Sequence, residues 1–335
     1  MQLMYSFIIP VFNRPNEIQE LLDSFLELKT ACTFEIIIVE DGSTKSSKQV
    51  VDSYTSKLDI SYFFKENSGP GASRNYGMQR ANGNYFIILD SDCILPSQYL
   101  NAVNNSLQHN YVDCFGGPDA AHASFSNLQK AINFSMTSFL TTGGIRGHKN
   151  SIDTFQPRSF NMGLSKKAFH ETQGFGRIHP GEDPDLTIRL WTKGFKTNLI
   201  PEAYVFHKRR ISWSKFYTQV NKFGMVRPIL NYWHPETKKI TYWFPFLFSF
   251  SCILSLLLTV FGILWPLYCV FLYYILVLVS ATIQNKSIII GFQSLIATTI
   301  QFFGYGYGFI KSTLTLTLFN KKPEEAFPKL FFKIK

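Results

Sequence analysis

The chain has 335 residues, 46% of them hydrophobic and 16% aromatic, with a formal net charge of +10. This length fits one large domain plus an appendage, and the five cysteines (Cys32, Cys93, Cys114, Cys252, Cys269) form no C-x-x-C pair, so neither a disulfide framework nor a zinc site is expected. The positive balance does not point to nucleic acid, because the basic residues gather on both sides of an apolar region, as at a membrane surface.

In chain order, Met4–Ile9 is a short apolar run that predicts the first strand, closed by Pro10-Val11-Phe12-Asn13-Arg14. Pro15 suits the first turn of a helix carrying Ile18, Leu21, Leu22, Phe25 and Leu28 at helical spacing. Phe34–Val39 is a continuous β-branched run, the pattern of a buried parallel strand, and ends in Glu40-Asp41-Gly42-Ser43-Thr44. A helix around Ser46–Lys57, a strand around Ile60–Phe64 and a helix over Gly71–Arg80 follow. Tyr85–Leu89 is the next central strand and ends in Asp90-Ser91-Asp92. Strands alternating with helices give βαβ units and a mostly parallel sheet. These elements make a first half, about residues 1–117; a second half follows over about 118–235.

Residues 111–160 carry weaker patterns. Thr141-Thr142-Gly143-Gly144-Ile145-Arg146-Gly147 reads as a loop near the cleft or as a plain surface loop. Gly181-Glu182-Asp183-Pro184-Asp185-Leu186 opens an amphipathic helix over Asp183–Lys193. Phe195–Ile200 and Tyr204–Phe206 read as short strands. Ser212–Gly224 reads as an amphipathic helix with Trp213, Phe216, Tyr217, Val220 and Phe223, placed at the membrane surface or packed under the domain.

Residues 236–320 form a membrane region with two to three hydrophobic segments. Trp243–Leu264 and Pro266–Ile283 are long enough to span a bilayer core, and the short connector at Trp265-Pro266 predicts a hairpin. Ile288–Phe319 is a third apolar stretch, interrupted by Gly304-Tyr305-Gly306-Tyr307-Gly308. Residues 321–335 are a basic tail. Lys215, Lys222, Arg227, Lys238 and Lys239 precede the region, and Lys321, Lys322, Lys329, Lys333 and Lys335 follow it, so both flanks carry the cytoplasmic signature. The third stretch is then expected to enter and leave on one side, bending at its glycines. Met1–Phe12 has no basic leader, so the expectation is a multi-pass protein of the cytoplasmic (inner) membrane with a cytosolic catalytic domain.

Carboxylates just past strand ends lie where an open α/β sheet binds ligands. Asp90 and Asp92, one residue apart, suit a hard divalent cation; an acidic turn before the next helix is the plainer reading. Glu182 and Asp183 sit at a helix start, where the dipole favours anions, and serve as a base or as caps.

The order of these motifs resembles family 2 of the inverting glycosyltransferases, over roughly residues 3–235. The likeness includes Asn67-Ser68-Gly69-Pro70-Gly71-Ala72-Ser73-Arg74-Asn75-Tyr76-Gly77, similar to the family's "ARNxG" segment, with Phe160-Asn161-Met162-Gly163 and His207-Lys208-Arg209-Arg210. The resemblance implies an α/β fold of the GT-A type (Rossmann-like, mostly parallel sheet) followed by C-terminal transmembrane helices. It implies transfer of a sugar from a nucleotide-sugar, a UDP-sugar foremost, to a hydroxyl of a lipid-linked glycan or polysaccharide acceptor, with Mg²⁺ or Mn²⁺.

By the same resemblance, Asp41 contacts the base in a pocket lined by Pro10, Phe12 and Asn13, and Arg74 contacts the nucleotide. Asp90 binds ribose or shares the metal with Asp92 and His207. Asp183 is the catalytic base beside Glu182, and Asn161 orients acceptor or sugar. Arg209 or Arg210 reaches phosphates or the membrane. Glu40 departs from the commoner Asp. A processive polysaccharide synthase is the alternative, but its "QxxRW" signature is missing and Arg209-Arg210-Ile211-Ser212-Trp213 resembles it only faintly. A non-catalytic nucleotide-sugar-binding membrane protein is the other.

Overall fold

The computed structural model describes residues 3–120, 125–143, 155–207 and 212–332. Their elements run β1 (Tyr5–Val11), α1 (Pro15–Leu26), β2 (Phe34–Asp41), α2 (Lys48–Asp52), β3 (Ile60–Lys65), α3 (Pro70–Arg80) and β4 (Tyr85–Leu89). Next come β5 (Cys93–Ile94), α4 (Tyr99–His109), β6 (Cys114–Gly116), β7 (Asp119–Ala120), α5 (Asn127–Thr137) and α6 (Phe139–Thr142). Then follow β8 (Asn161–Ser165), α7 (Lys166–Thr172), α8 (Glu182–Thr192), β9 (Thr197–Leu199), β10 (Val205–His207) and α9 (Trp213–Trp233). The rest is helical: α10 (Phe244–Thr259), α11 (Trp265–Asn285), α12 (Ile288–Leu318) and the short α13 (Pro323–Ala326).

The chain forms two compact units. One comprises Met1–His122, Lys149–Lys208 and Phe331–Lys335; the other comprises Ala123–His148 and Arg209–Leu330. The sequence pattern predicts 118–235 as one half. In the structure α5 and α9 fall in the helical unit instead, because their apolar faces pack on α12: Phe216 and Val220 meet Ile132, Met136 and Ala297.

In the first unit the main sheet runs β3-β2-β1-β4-β8-β6-β9. β3, β2, β1 and β4 are parallel, with Ile8 facing Ile37 on one side and Ile88 on the other. Side chains of successive residues point to opposite faces. Phe7 and Ile9 therefore pack with α1 residues Leu21, Leu22 and Phe25, while Ile8 packs with Met78 of α3. A sheet covered on both faces needs apolar residues at every position, which is why β1, β2 and β4 read as unbroken apolar runs. β8 turns antiparallel on β4 and sets Asn161 opposite Leu89, at the strand end that precedes Asp90. A second sheet, β5-β10-β7, pairs His207 with Cys93 and so brings a residue from position 207 beside Asp92.

In the second unit, α9 runs from Trp213 to Trp233 and is longer than the predicted Ser212–Gly224 helix. Phe216 on this helix is fully buried within the helical unit. The structure also corrects the expected bend at the glycines of the third apolar stretch. α12 is continuous from Ile288 to Leu318. A Cβ at Gly308 would overlap the Asn221 carbonyl, and one at Gly304 would lie 2.8 Å from Val220. On the facing helix, Gly224 leaves room for the Tyr305 carbonyl. The glycines are contact surfaces that let two helix backbones approach, not hinges. Thr141 and Thr142 belong to α6 and Gly143 closes it; residues 144–147 of the expected loop lie outside the described residues.

Candidate active site

Three loops leave the C-terminal ends of β1, β2 and β4 side by side. Asn13, with φ +56°, ties the first to the second: its Oδ1 accepts from the Thr44 amide at 2.8 Å, the Thr44 hydroxyl at 3.0 Å and the Lys45 amide at 2.8 Å. Asp41 then folds the glycine-rich segment over the end of β2. Its Oδ1 accepts from the Ser68 amide at 2.9 Å and its Oδ2 from the Gly69 amide at 2.9 Å, while Lys65 pairs with the same carboxylate. Gly69 has φ +93°, a conformation open to glycine, and a side chain there would run into the Phe332 ring. Phe332 donates its amide to the Arg177 carbonyl at 3.1 Å, and Phe331 pairs with Ile178.

The loops are joined to α8 by one side chain. Arg74, from α3, is 3% exposed and donates to Asp90 Oδ1 at 2.8 Å and to Glu182 Oε1 at 3.0 Å. Its guanidinium also lies 5.2 Å from the centre of the Phe175 ring. His179 Nδ1 is 3.0 Å from the same Glu182 oxygen.

The two neighbouring acids of α8 are driven apart in acidity. Burial pushes Glu182 up, but His179 and Arg74 more than offset it and hold the carboxyl down at about 2. Burial also pushes Asp183 up, and the Glu182 charge adds to that push. Arg158, 3.8 Å away, offsets only part, and Asp183 ends above the ordinary aspartate value. A pair of acids separated in this way has one member fixed as a charge and one more ready to take up a proton.

Asp92 sits at the other side of Arg74's partner Asp90. It is pushed up by burial, yet His207 and Arg14 together hold it well below the usual carboxylate range. His207 Nε2 lies 3.2 Å from Asp92 Oδ1 and 4.0 Å from Asp90 Oδ2, and Arg14 pairs with Asp92 Oδ2. Asp92, Cys93 and His207 present ligand atoms within 4.8 Å of one another. The Cys93 thiol is directed at the Phe160 carbonyl, 3.4 Å away. Carboxylate oxygens with one imidazole nitrogen suit Mn²⁺ or Mg²⁺, so the donor set fits a divalent cation.

Of the predicted site residues, Asp41, Arg74, Asp90, Asp92, Glu182, Asp183 and His207 stand in the first unit in the contacts just described. Phe12 is half exposed and Pro10 partly buried at the end of β1. Asn161 differs from its expected role. It is fully buried, accepting from the Tyr99 hydroxyl at 2.6 Å and donating to the Ala203 carbonyl at 2.7 Å, so these two hydrogen bonds serve the fold. Arg209 and Arg210 lie outside the described residues. Sequence reasoning assigned no role to Arg14, Lys65, Arg158 or His179. Arg14 and His179 each lie close to a quoted motif, which is a usable signal; Arg158 carries none. A cavity of about 320 Å³ opens beside this cluster, bounded by Ser68, Gly71, Phe175, His179 and Phe332.

Residues 6–171 match the model of glycosyl transferase family 2, and the chain belongs to that family. Over 224 residues it is 33% identical to the glycosyltransferase GlyA of Streptococcus pneumoniae, covering 63% of this chain and 32% of that protein. Over 101 residues it is 33% identical to the poly(ribitol-phosphate) β-N-acetylglucosaminyltransferase TarS of Staphylococcus aureus, covering 29% of this chain and 18% of the relative. The chain thus spans a third or less of the length of such curated relatives. Among solved structures, the mannosyltransferase PcManGT of Pyrobaculum calidifontis, in complex with GDP-Man and Mn²⁺, aligns with a TM-score of 0.53 at 16% identity, over 67% of this chain and 63% of that one. That likeness is one of fold, and the fold is the expected GT-A arrangement.

Proposed function

We propose that the protein is a membrane-anchored inverting glycosyltransferase that moves a sugar from a nucleotide-sugar to a hydroxyl of a lipid-linked glycan or polysaccharide acceptor. The observation that carries this reading is the divergent pair Glu182–Asp183, linked through Arg74 to the Asp90–Asp92–His207 cluster. Asp183 takes the proton of the acceptor hydroxyl, whose oxygen forms the new bond to the anomeric carbon as the bond to the diphosphate breaks. Attack opposite the leaving group inverts the configuration. Glu182 stays ionised and, with Asp90, fixes the Arg74 guanidinium. Asp92 and His207, with Asp90, would hold Mg²⁺ or Mn²⁺, which would neutralise charge on the leaving nucleoside diphosphate.

The donor in this reading is a nucleotide-sugar, a UDP-sugar foremost, and the name of TarS, a poly(ribitol-phosphate) β-N-acetylglucosaminyltransferase, supports a polymeric acceptor. Among the described residues, three helices are long and apolar enough to cross a membrane, which supports an acceptor met at a bilayer. A thermal-shift screen of UDP-, GDP- and dTDP-sugars with and without Mn²⁺, followed by transfer to lipid extracts, tests the reading. A metal-dependent shift by one donor class together with label moving into lipid or polymer is the expected result. A protein stabilised by no nucleotide-sugar contradicts it.

A further inference from the structure

We propose that the segment ending in Phe331 and Phe332 is a strap across the candidate active site, and that Phe332 is a positioning residue whose ring forms one wall of the cavity that receives the nucleotide-sugar donor. The identity of that ligand rests on the function proposed above; the strap itself does not.

Phe331–Lys335 belong to the first unit, although everything from Arg209 to Leu330 belongs to the second. Backbone pairing fixes where the strap lies. Phe331 bridges antiparallel to Ile178, and the Phe332 amide donates to the Arg177 carbonyl at 3.1 Å.

The Phe332 ring stands between two segments of the site. On one side is Gly69. A Cβ there would overlap three carbons of the ring, so the ring rests directly on the glycine backbone. The Gly69 amide donates to Asp41 Oδ2 at 2.9 Å, which ties this contact to the end of β2. On the other side is His179, whose ring centre is 6.1 Å from that of Phe332. His179 Nδ1 is 3.0 Å from Glu182 Oε1, the oxygen that also accepts from Arg74. One aromatic side chain thus meets both the glycine-rich segment held by Asp41 and the segment that leads into α8.

The cavity of about 320 Å³ lies between the same two segments. Asn67, Ser68 and Gly71 line it from the glycine-rich side, with Phe175, His179 and Phe332 across from them. An apolar wall set among a few polar groups suits a ligand that combines a ring face with polar edges, as a nucleotide does. Residues 1–208 therefore do not complete this cavity alone: a chain ending before Phe331 lacks one wall of it.

The test uses full-length protein in detergent: wild type, Phe332→Ala, Phe332→Tyr and a deletion of Phe331–Lys335. Transfer is measured with the nucleotide-sugar varied at saturating acceptor, and amide hydrogen exchange is followed over residues 66–72 and 175–179. The proposal expects the deletion and Phe332→Ala to raise KM for the donor roughly tenfold with kcat little changed, the mark of a lost binding contact. Phe332→Tyr keeps the ring and should stay near the wild-type KM. The deletion should quicken exchange in both segments, while β1 and β4 stay protected and show that the unit is folded. An unchanged donor KM in both ringless proteins would overturn the role of Phe332, as would an equal loss in Phe332→Tyr. A lower kcat and melting temperature at unchanged donor KM would make the ring a structural contact only and would overturn it too. Unchanged exchange in both segments after deletion would overturn the strap, whatever the activity. Faster exchange in a protein whose wild type binds no nucleotide-sugar would sink the enzymatic reading and leave the strap standing.

Discussion

Arg74 and Glu182 lie 108 residues apart in the sequence and 3.0 Å apart in the fold, both almost fully buried. Because Arg74 also holds Asp90 at 2.8 Å, one guanidinium fixes the nucleotide-side acid and the acid next to the proposed base. Removing one member of a buried ion pair leaves the other charge uncompensated, which costs about 3–5 kcal/mol. Arg74→Met is therefore expected to lower stability by about that amount and to weaken donor binding. Chemical denaturation of purified protein, with and without nucleotide-sugar, checks both.

Metal-dependent binding should depend on Asp92. Asp92→Ala removes the carboxylate shared by His207 and Arg14. Affinity for the nucleotide-sugar in Mn²⁺ should fall to its metal-free level, as read by calorimetry with and without chelator. Full metal-dependent affinity in a folded mutant would place the cation elsewhere.

Asp183 supplies a pH signature. Its pKa is raised in the folded protein, and the base must be deprotonated to act. Activity should therefore fall with acid through a midpoint above that of an ordinary aspartate. Arg158 opposes the rise from 3.8 Å. Arg158→Gln removes that opposition, so the acid limb of kcat/KM should move to higher pH. A limb that stays in place would remove Arg158 from the site.

The contact between α9 and α12 gives a structural test. A Cβ at Gly308 would overlap the Asn221 carbonyl and come within 3.0 Å of the Met225 amide. Overpacking of this kind costs about 1–3 kcal/mol. Gly308→Leu should lower the melting temperature of the detergent-solubilised protein, whereas Gly262→Ala, at the open turn with nothing within 4 Å, should cost only its positive φ.

The parallel strands were legible because a sheet buried on both faces writes a continuous apolar run, as in Phe34–Val39, and the strand-end acids followed directly. Arg158 and the burial of Asn161 were not legible, since both depend on which distant residues the fold packs around them, Asp183 in one case and Tyr99 with Ala203 in the other. The glycines of α12 were misread for a different reason. Glycine permits a bend and also permits close helix contact, and only the facing residues, Asn221 and Gly224, decide between them.

The central claim, base-catalysed displacement by Asp183, is tested most directly by Asp183→Asn. The variant should keep nucleotide-sugar binding and lose transfer by about 10²–10⁴-fold, the usual worth of a general base. The wild-type product, read by NMR, should carry the anomeric configuration opposite to the donor. Turnover near wild type in a folded Asp183→Asn protein, or a product with the donor's configuration retained, would contradict the account.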